Sequence, residues 1–322
     1  MNQEREETAI SVVIPSWNGA ELLRQHLPAV LEELSGFNPV SECIVVDDGS
    51  TDNSIELLRR VFPQVRVISR KTNRGFGSSV NVGIAAAQHE RLLLLNNDVR
   101  VTPGFLKCLQ FAFDESADTF AVAALQREPA ADGGVTMDGF NTVQWRNGHL
   151  QFSNRTADVM KGAAPALAYC TAGCSLFSRE KVLTLGGFCE LFDPFYYEDA
   201  ELGLQAVRRG WRLAFARESG VEHQHGSTSR RTPWKVKLVP ARNYLLLHWL
   251  LLDTPSLWRQ HLAHVALRII ASPIRGRFRY VVALAMAIIK LPRVLTERRR
   301  RGRGGVRSIG DILGVSTHAS EI

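Results

Sequence analysis

The sequence of 322 residues contains little cysteine, no long apolar run and no internal repeat of solenoid or propeller length. Its five cysteines are scattered and odd in number, which excludes a disulfide framework and leaves no complete zinc-binding pattern. No stretch reaches the roughly 20 apolar residues that a membrane-spanning helix needs. The acidic N-terminus lacks the basic and then apolar pattern of a signal peptide. These absences predict a cytosolic globular protein whose cysteines are reduced.

Hydrophobic residues make up 45% of the chain and charged residues 22%, proportions that are typical of a globular protein. The net charge is +7, and much of the basic excess lies after residue 270, including Arg303, Arg307 and residues 298–301. Such a tail has three kinds of anionic partner available: a membrane surface, a phosphorylated substrate or nucleic acid. Nucleic acid is not expected, because the basic run has no interleaved aromatic residues and no known binding motif.

Four short apolar segments, residues 9–15, 42–46, 65–69 and 91–95, alternate with segments of helical periodicity. This alternation predicts a mostly parallel sheet with helices on both faces. Ligands of such sheets bind beyond the carboxyl ends of the strands. The second half of the chain is less regular, and residues 132–158 are predicted to be loop-rich.

Polar side chains follow two of the predicted strands. Asp47 and Asp48 follow the second strand, where a carboxylate can accept from a base N–H or a ribose hydroxyl. Asp98, at the end of Asn96-Asn97-Asp98, follows the fourth, where one carboxylate facing a diphosphate suits a hard divalent cation. Both groups are also good turn-forming sequences, and the residues alone leave that alternative open.

Two further groups carry candidate chemistry. Glu198, Asp199 and Glu201 open a predicted helix, where acids either stabilise the positive end of the helix dipole or supply a general base. His223 and His225 lie in a polar segment after a strand, where an imidazole either completes a metal site or is structural.

The segment Gly75-Phe76-Gly77 invites comparison with the dinucleotide-binding fingerprint. Val80 stands where that fingerprint needs its third glycine, and the segment follows the third predicted strand rather than the first. A nicotinamide-binding site is therefore not favoured.

Taken in order, the motifs of residues 9–230 resemble those of the family 2 glycosyltransferases with the GT-A fold, especially the bacterial rhamnosyltransferase-like branch. The matching segments are SVVIPSWNG, IVVDDGSTDNS, NRGFGSSVNVGI, LLLLNNDV, TAGCSLFS, LGGFCELFDPFYYEDAELGLQAVRRGW and VEHQHGSTS. The resemblance implies an α/β fold, namely a GT-A (Rossmann-like), mostly parallel sheet flanked by helices. A helical, basic C-terminal extension would follow this catalytic domain.

The resemblance also implies a role for each matching residue. Asp199 would be the catalytic base, and Glu198 and Glu201 would orient the acceptor or the base. Glu201 and Tyr197 would lie on the acceptor side. Asp98 would hold Mg²⁺ or Mn²⁺, with His223 as the histidine ligand and His225 as the second choice. The nucleotide would be bound by Pro15, Ser16, Asn18, Asp47, Asp48, Asn73, Gly75, Asn81 and Asn97.

Two departures from the family pattern are visible. The metal motif reads Asn-Asn-Asp rather than Asp-x-Asp, which predicts fewer protein carboxylates on the metal. Gln205 stands where many relatives have arginine, so an acceptor contact at that position is not carried over.

The function implied is an inverting transfer of a sugar from a nucleoside-diphosphate donor to an acceptor hydroxyl. The donor would be a dTDP- or UDP-sugar, with dTDP-rhamnose as one candidate, and the acceptor a glycan or lipid-linked glycan in cell-surface polysaccharide synthesis. A sugar-phosphate nucleotidyltransferase is disfavoured, because residues 16–20 contain no Lys or Arg. A non-catalytic module that binds sugar nucleotides or membranes is the remaining alternative.

The C-terminal ninety residues differ from the rest of the chain in their pattern of apolar and basic residues. Residues 231–296 combine short apolar runs with Lys and Arg, which is typical of helices that lie in a membrane interface or pack on a neighbouring domain. Residues 1–8 and the basic tail 297–322 are predicted to be disordered. We therefore expect a cytoplasmic protein that associates peripherally with the inner, anionic face of the cell membrane.

Overall fold

The computed structural model describes residues 7–130, 134–163, 165–223, 238–274, 278–301 and 307–315. Its strands are β1 (Ile10–Ser16), β2 (Glu42–Asp47), β3 (Arg66–Ser69), β4 (Arg91–Leu95), β5 (Val99–Val101), β6 (Thr119–Pro129), β7 (Val135–Asp138), β8 (Asn141–Arg146), β9 (His149–Asn154), β10 (Cys174–Ser178) and β11 (Arg212–His223). Its helices are α1 (Ala20–Phe37), α2 (Ser54–Val61), α3 (Phe76–Ala86), α4 (Phe105–Phe113), α5 (Thr156–Met160), α6 (Arg179–Thr184), α7 (Glu198–Arg208), α8 (Val239–Leu251), α9 (Pro255–Ile274), α10 (Phe278–Ile289), α11 (Leu291–Arg301) and α12 (Ile309–Ile312).

Most of the strands form one mixed sheet in the order β3-β2-β1-β4-β10-β6-β11-β5, with β7 paired to β6. Strands β1 to β4 are parallel to one another, as the alternating sequence predicts. Strand β10 runs antiparallel to β4 and β6. The carboxyl ends of β1, β2 and β4 therefore share one edge, and this edge carries the candidate site.

Apolar side chains on both faces of the sheet explain why helices cover both faces. Val12 and Val45 are buried on one side of the sheet, and Val13 and Ile44 on the other. Helix α3 comes close to β1 at Gly83, where a Cβ atom would collide with a methyl group of Val13. The predicted α/β fold, mostly parallel and flanked by helices, is confirmed.

The prediction of a loop-rich segment at residues 132–158 is wrong. This segment contains β7, the antiparallel hairpin β8–β9 and the short helix α5. The hairpin turns at Asn147 and Gly148, whose φ angles are 52° and 78°. An Asn-Gly pair between strands is typical of a type I′ turn, which requires two positive φ angles. That local signal was present in the sequence.

The C-terminal helices pack against the rest of the protein. Leu245, Leu246 and Leu250 of α8 share an apolar core with Phe192 and Leu204. The predicted helical extension is therefore confirmed for its described residues. None of the described helices is both long and apolar enough to cross a membrane.

The prediction of disorder from residue 297 onward is wrong for the described residues of the tail. Helix α11 continues through the basic run to Arg301, and α12 begins with a capping box between Ser308 and Asp311. Arg301 is buried between two acidic partners, Glu201 of α7 and Glu297 of its own helix.

Candidate active site

Asp48 joins two loops at the carboxyl edge of the sheet. Its carboxylate accepts hydrogen bonds from the backbone N–H groups of Arg74 and Gly75, at 2.9–3.1 Å, and lies 3.3 Å from the Arg70 guanidinium. The side chain is almost fully buried. These contacts hold the loop between β3 and α3 against the end of β2, so Asp48 shapes the predicted nucleotide pocket.

Asp47, which precedes Asp48, uses only one of its two carboxylate oxygens in hydrogen bonds within the described structure. Its Oδ2 accepts a hydrogen bond from the Ser50 backbone N–H at 3.1 Å. Its Oδ1 is buried and has no hydrogen-bond partner among the described residues. A buried carboxylate oxygen without a donor is costly, so Oδ1 is well suited to receive a donor from a ligand.

The ends of β1 and β4 meet through a side-chain hydrogen bond. Asn97 Nδ2 donates to Ser16 Oγ at 2.9 Å. A Cβ atom at Gly19 would collide with both of these side chains, so glycine is needed for this close approach. Pro15, directly before Ser16, pairs with Val46 in the parallel register of β1 and β2.

Asn18 connects the β1–α1 loop to the loop after β2. Its Oδ1 accepts from the Thr51 backbone N–H at 2.7 Å, and its own N–H donates to Ser50 Oγ at 2.8 Å. Its φ angle of 50° lies in the left-handed region, which asparagine tolerates better than most residues. Asn18 therefore supports the edge of the site through hydrogen bonds to neighbouring loops.

Gly75 brings the predicted nucleotide loop against the segment that precedes Asp199. Its φ angle is 100°, and a Cβ atom there would lie 2.7 Å from the Pro194 Cα. The next backbone N–H, that of Phe76, donates to the Pro194 carbonyl at 2.8 Å. Asn73, on the same loop, is exposed. The two predicted halves of the site are thus in direct backbone contact.

Asn81 forms two hydrogen bonds with the backbone of Phe188. Its Nδ2 donates to the Phe188 carbonyl at 2.9 Å, and its Oδ1 accepts from the Phe188 N–H at 2.8 Å. Both ends of the amide are therefore used to hold α3 against the loop after α6. These bonds give Asn81 a structural role, and its nucleotide contact stays a prediction.

Asp98 and His223 belong to neighbouring segments of the sheet edge. Asp98 lies in the turn between β4 and β5, and the next residue, Val99, is the register partner of His223 at the end of β11. His223 is described here by its backbone alone, and His225 lies outside the described residues. Among the described residues, no three His, Cys, Asp or Glu side chains lie close enough to hold a metal ion. The metal site therefore stays a prediction.

Asp199 lies in the first turn of α7 and is partly exposed. Burial raises its pKa to about 6, while hydrogen bonds from backbone N–H groups, including those of Ala200 and Ala172, act in the opposite direction. Glu198, next to it, is buried, and its Oε2 has no hydrogen-bond partner in the described structure. Burial and then the charge of Asp199 raise the pKa of Glu198 well above its usual value. Partial exposure and backbone hydrogen bonds thus favour the ionised form of Asp199, whereas Glu198 is buried.

Tyr169 is a neighbour of Asp199 that the sequence did not reveal. Gly203 lies four residues after Asp199 and so on the same face of α7. A Cβ atom at Gly203 would lie 2.5 Å from the Tyr169 Cβ, so Tyr169 packs over this face. Burial and then the charge of Asp199 raise the pKa of the Tyr169 hydroxyl.

Tyr197 forms part of an aromatic cluster beside the same helix. Its ring centroid lies 5.4 Å from that of Tyr244 on α8 and 6.0 Å from that of Phe152 on β9. Burial and then the charge of Asp199 raise the pKa of the Tyr197 hydroxyl. This partly exposed cluster is consistent with the predicted acceptor side.

Glu201 does not belong to an acceptor surface. Its side chain is 0% exposed and forms an ion pair at 3.1 Å with Arg301 of α11. Its other oxygen accepts from Gln205 Nε2 at 3.2 Å. The prediction of an acceptor contact is therefore wrong, because the carboxylate is covered and paired inside the protein.

Comparisons with known proteins agree with this geometry. The model of glycosyl transferase family 2 matches residues 11–186. The N-acetylglucosaminyl-diphospho-decaprenol L-rhamnosyltransferase of Mycobacterium tuberculosis is 26% identical over 234 residues, which cover 65% of this chain and 75% of that protein.

Two solved structures show the same fold at low sequence identity. The mannosyltransferase PcManGT from Pyrobaculum calidifontis, in complex with GDP-Man and Mn²⁺, has a TM-score of 0.56 and 17% identity, covering 88% of this chain and 76% of that one. GalNAc-T7 with UDP, GalNAc and Mn²⁺ has a TM-score of 0.60 and 15% identity. The match covers 78% of this chain and 49% of the GalNAc-T7 chain, so this chain spans about half the length of that protein. With the family match over more than half of its length, the chain belongs to glycosyl transferase family 2.

Proposed function

We propose that the protein is an inverting glycosyltransferase in which Asp199 is the catalytic base. The observation that carries this proposal is the contact between Gly75 and Pro194, which joins the nucleotide loop to the segment leading into Asp199. A donor held at the strand edge and an acceptor hydroxyl at Asp199 would then meet. Family membership supports the use of a nucleotide-sugar donor.

In the proposed reaction, Asp199 takes the proton of the acceptor hydroxyl while that oxygen forms a bond to the anomeric carbon. The bond between the anomeric carbon and the diphosphate breaks, and the nucleoside diphosphate leaves with the electron pair. A pKa of about 6 leaves Asp199 largely ionised at pH 7 and more basic than an ordinary aspartate. Such general-base catalysis contributes roughly 10²–10⁴-fold.

On the donor side, Oδ1 of Asp47, which has no partner in the described parts of the chain, would accept a hydrogen bond from the nucleotide base or ribose. Ser16 and Asn97, already bonded to each other, would line the pocket beside it. Asp48 would act indirectly, by fixing the loop that contains Asn73.

Mg²⁺ or Mn²⁺ would be held by Asp98 and by His223, whose backbone lies in the neighbouring register position. One carboxylate and one imidazole leave room for diphosphate oxygens, which a hard cation prefers. When bound, the ion would offset the charge that develops on the leaving diphosphate. The two similar structures contain Mn²⁺, which supports this choice of metal.

The donor we propose to test first is dTDP-L-rhamnose, and the acceptor is a polyprenyl-diphosphate-linked N-acetylglucosamine. Similarity to the mycobacterial rhamnosyltransferase supports both choices. This reaction would serve cell-surface polysaccharide synthesis.

The site of action we propose is the anionic inner face of the cell membrane. Large apolar side chains are exposed along α9, α10 and the start of α11, whereas only eight others are exposed over the remaining described residues. The exposed group consists of Leu262, Leu267, Ile269, Ile270, Phe278, Val281, Val282, Ile288, Ile289, Leu291 and Leu295.

The charge of this segment favours an anionic lipid surface over a second copy of the protein. Residues 254–296 contain seven Lys and Arg residues and no Asp or Glu. Each Lys or Arg near an anionic membrane contributes about 1 kcal/mol of attraction, and apolar side chains add burial in the interface. A second copy would bring the same positive charges together.

A vesicle assay tests the membrane proposal. The parent protein is expected to sediment with phosphatidylglycerol vesicles at low salt and not with phosphatidylcholine vesicles. Ile270→Glu combined with Ile289→Glu should abolish sedimentation, whereas Val40→Glu with Val61→Glu, at similarly exposed positions elsewhere, should not. Equal binding by both double variants, or a stable dimer in place of vesicle binding, would contradict it.

A thermal-shift panel tests the donor site. UDP, dTDP, GDP and CMP are each added with and without Mn²⁺ to the parent and to Asp98→Ala. A ligand at about 100 times its Kd stabilises the folded protein by about 2.7 kcal/mol. We expect a shift in Tm for one nucleoside diphosphate that depends on Mn²⁺ and is reduced in Asp98→Ala. Absence of any shift in a folded sample would contradict the donor site.

A further inference from the structure

The loop that precedes Asp199 is held by a buried asparagine from the C-terminal helices. Asn243 of α8 is 0% exposed. Its Nδ2, which carries two hydrogens, lies within hydrogen-bond distance of three backbone carbonyls of this loop, those of Phe192, Phe195 and Tyr196, so that one hydrogen is shared. The last two of these bonds measure 2.9 and 3.2 Å. One side chain thus contacts both ends of the backbone segment 192–196.

Arg242 fixes the orientation of this asparagine. Its Nε and Nη2 atoms donate to Asn243 Oδ1 at 2.9 and 2.7 Å. Because Oδ1 is occupied by the guanidinium, Nδ2 must point toward the loop. Arg242 Nη2 also donates to the Asp193 carbonyl at 2.6 Å. The two side chains form one unit, which we call the loop clamp.

The clamped loop ends in a backbone conformation that needs support. Tyr196 and Tyr197 have φ angles of 78° and 77°, in the left-handed region that non-glycine residues rarely adopt. Such conformations persist only where the surrounding structure holds them, and they occur preferentially at functional sites. Glu198 and Asp199 follow directly, so the conformation of the two tyrosines sets where the Asp199 carboxylate lies.

We propose that Asn243 is a positioning residue for catalysis, acting on Asp199 through the backbone of residues 192–196. This inference rests on the proposed role of Asp199 as the base. It makes the C-terminal helices part of the catalytic unit rather than an attachment to it. A displacement of a catalytic group by about 1 Å costs on the order of 10²-fold in rate.

The test compares Asn243→Asp, which keeps the size and Oδ1 but removes the donor, with the parent. We expect kcat for transfer from the active sugar nucleotide to fall at least tenfold. The KM for that donor should stay within twofold, because Asp48 anchors the nucleotide loop at Arg74 and Gly75 independently of the loop clamp. Peptides covering residues 191–200 should exchange backbone hydrogen for deuterium faster. Asn38→Asp is the matched control, since Asn38 Nδ2 also donates to a backbone carbonyl but lies at the end of α1.

A folded Asn243→Asp protein with the parent's kcat and the parent's exchange rates at residues 191–200 would overturn the proposal. If that variant does not fold, Arg242→Lys decides by the same two measurements, because it breaks the fork that orients Asn243. If the parent itself transfers no sugar, the proposed function fails, and the exchange rates alone then decide whether the clamp holds the loop.

Discussion

Arg301 and Glu201 form an ion pair inside the protein, with 3.1 Å between Nη1 and Oε2 and side chains that are 1% and 0% exposed. Arg301 lies near the end of the chain, and Glu201 lies two residues after the proposed base. The same guanidinium donates to the Gly187 carbonyl at 3.0 Å and to Glu297 at 3.1 Å. The last described turn of α11 is therefore fastened to α7, whose first turn contains Asp199.

Arg301→Met should destabilise the protein strongly. It leaves Glu201 as a buried carboxylate without its cation, and breaking a buried pair in this way typically costs about 3–5 kcal/mol. The measurement is the free energy of unfolding in urea. Arg299→Met, on an exposed side chain of the same helix, should change it little.

The double variant Arg301→Met/Glu201→Leu removes both charges and should recover most of the lost stability, because buried pairs are often replaced by apolar residues at little cost. Equal stability of the parent and Arg301→Met would show that the ion pair does not hold α11 in solution.

Asn81→Ala should lower stability and leave nucleotide affinity unchanged. Removing the amide leaves the N–H and the carbonyl of Phe188 without partners, which costs about 1–3 kcal/mol for a buried group. Urea unfolding and the Kd of the nucleoside diphosphate are measured on the same sample. A large loss of affinity at unchanged stability would instead support the contact that the sequence predicts.

The rate of transfer should rise with pH through about 6. Asp199 must be ionised to accept a proton, and burial raises its pKa to about 6. Activity is therefore expected to be nearly full at pH 7.5 and largely lost at pH 5. The measurement is kcat/KM from pH 4.5 to 8.5 at constant ionic strength. An activity that falls only near pH 4, the usual range of aspartate, would contradict this environment for the base.

The free energy of unfolding should decrease as the pH is lowered from about 6.5 to 4, because two histidines are buried in their neutral form. His248 donates from Nδ1 to the Tyr244 carbonyl and accepts from the Leu150 N–H at Nε2, a neutral arrangement. Burial lowers the pKa of His248 well below its usual value and that of His261, stacked on it at 4.5 Å, to about 4. Below about pH 6.5 the unfolded chain binds protons that the folded protein excludes.

The variant His261→Phe isolates this effect, since it keeps an aromatic ring and removes one proton site. We expect the loss of unfolding free energy between pH 7.5 and pH 4.5 to be smaller in this variant than in the parent. The carboxylates with raised pKa values respond in the opposite sense, but they are common to both proteins. Identical losses in the two proteins, with His89→Phe as control, would contradict the prediction.

The N-terminal half of the fold follows from local sequence. Each strand and the polar residues at its end are close together in the sequence, as Arg91–Leu95 and Asp98 are. The pattern of apolar residues and the turn-forming residues after it are therefore enough to predict the strand and its functional end. The edge of the sheet that carries Asp47 and Asn97 was therefore predictable. The hairpin that turns at Asn147 and Gly148 was also predictable from the residues of its turn.

The contacts that organise the catalytic helix were not predictable in the same way. Asn81 and Phe188, Glu201 and Arg301, and the loop clamp all join residues that are at least 45 positions apart. A sequence pattern shows which residue types are present but not which distant group satisfies them. Glu201 matches a family position, but its carboxylate is buried in an ion pair with Arg301. This partner was not predictable, because the arginine run that contains it resembles a disordered segment.

The most direct test of glycosyl transfer is product formation by the parent protein and by Asp199→Asn. Both are incubated with Mn²⁺, a panel of UDP- and dTDP-sugars and a polyprenyl-diphosphate-linked N-acetylglucosamine, and the acceptor is examined by mass spectrometry. We expect the parent to add one sugar with one of these donors. Asp199→Asn should bind the same nucleotide with similar affinity and transfer roughly 10²–10⁴-fold more slowly. A parent protein that binds a sugar nucleotide and forms no product with any of them, or an Asp199→Asn variant with the parent's rate, would contradict the account.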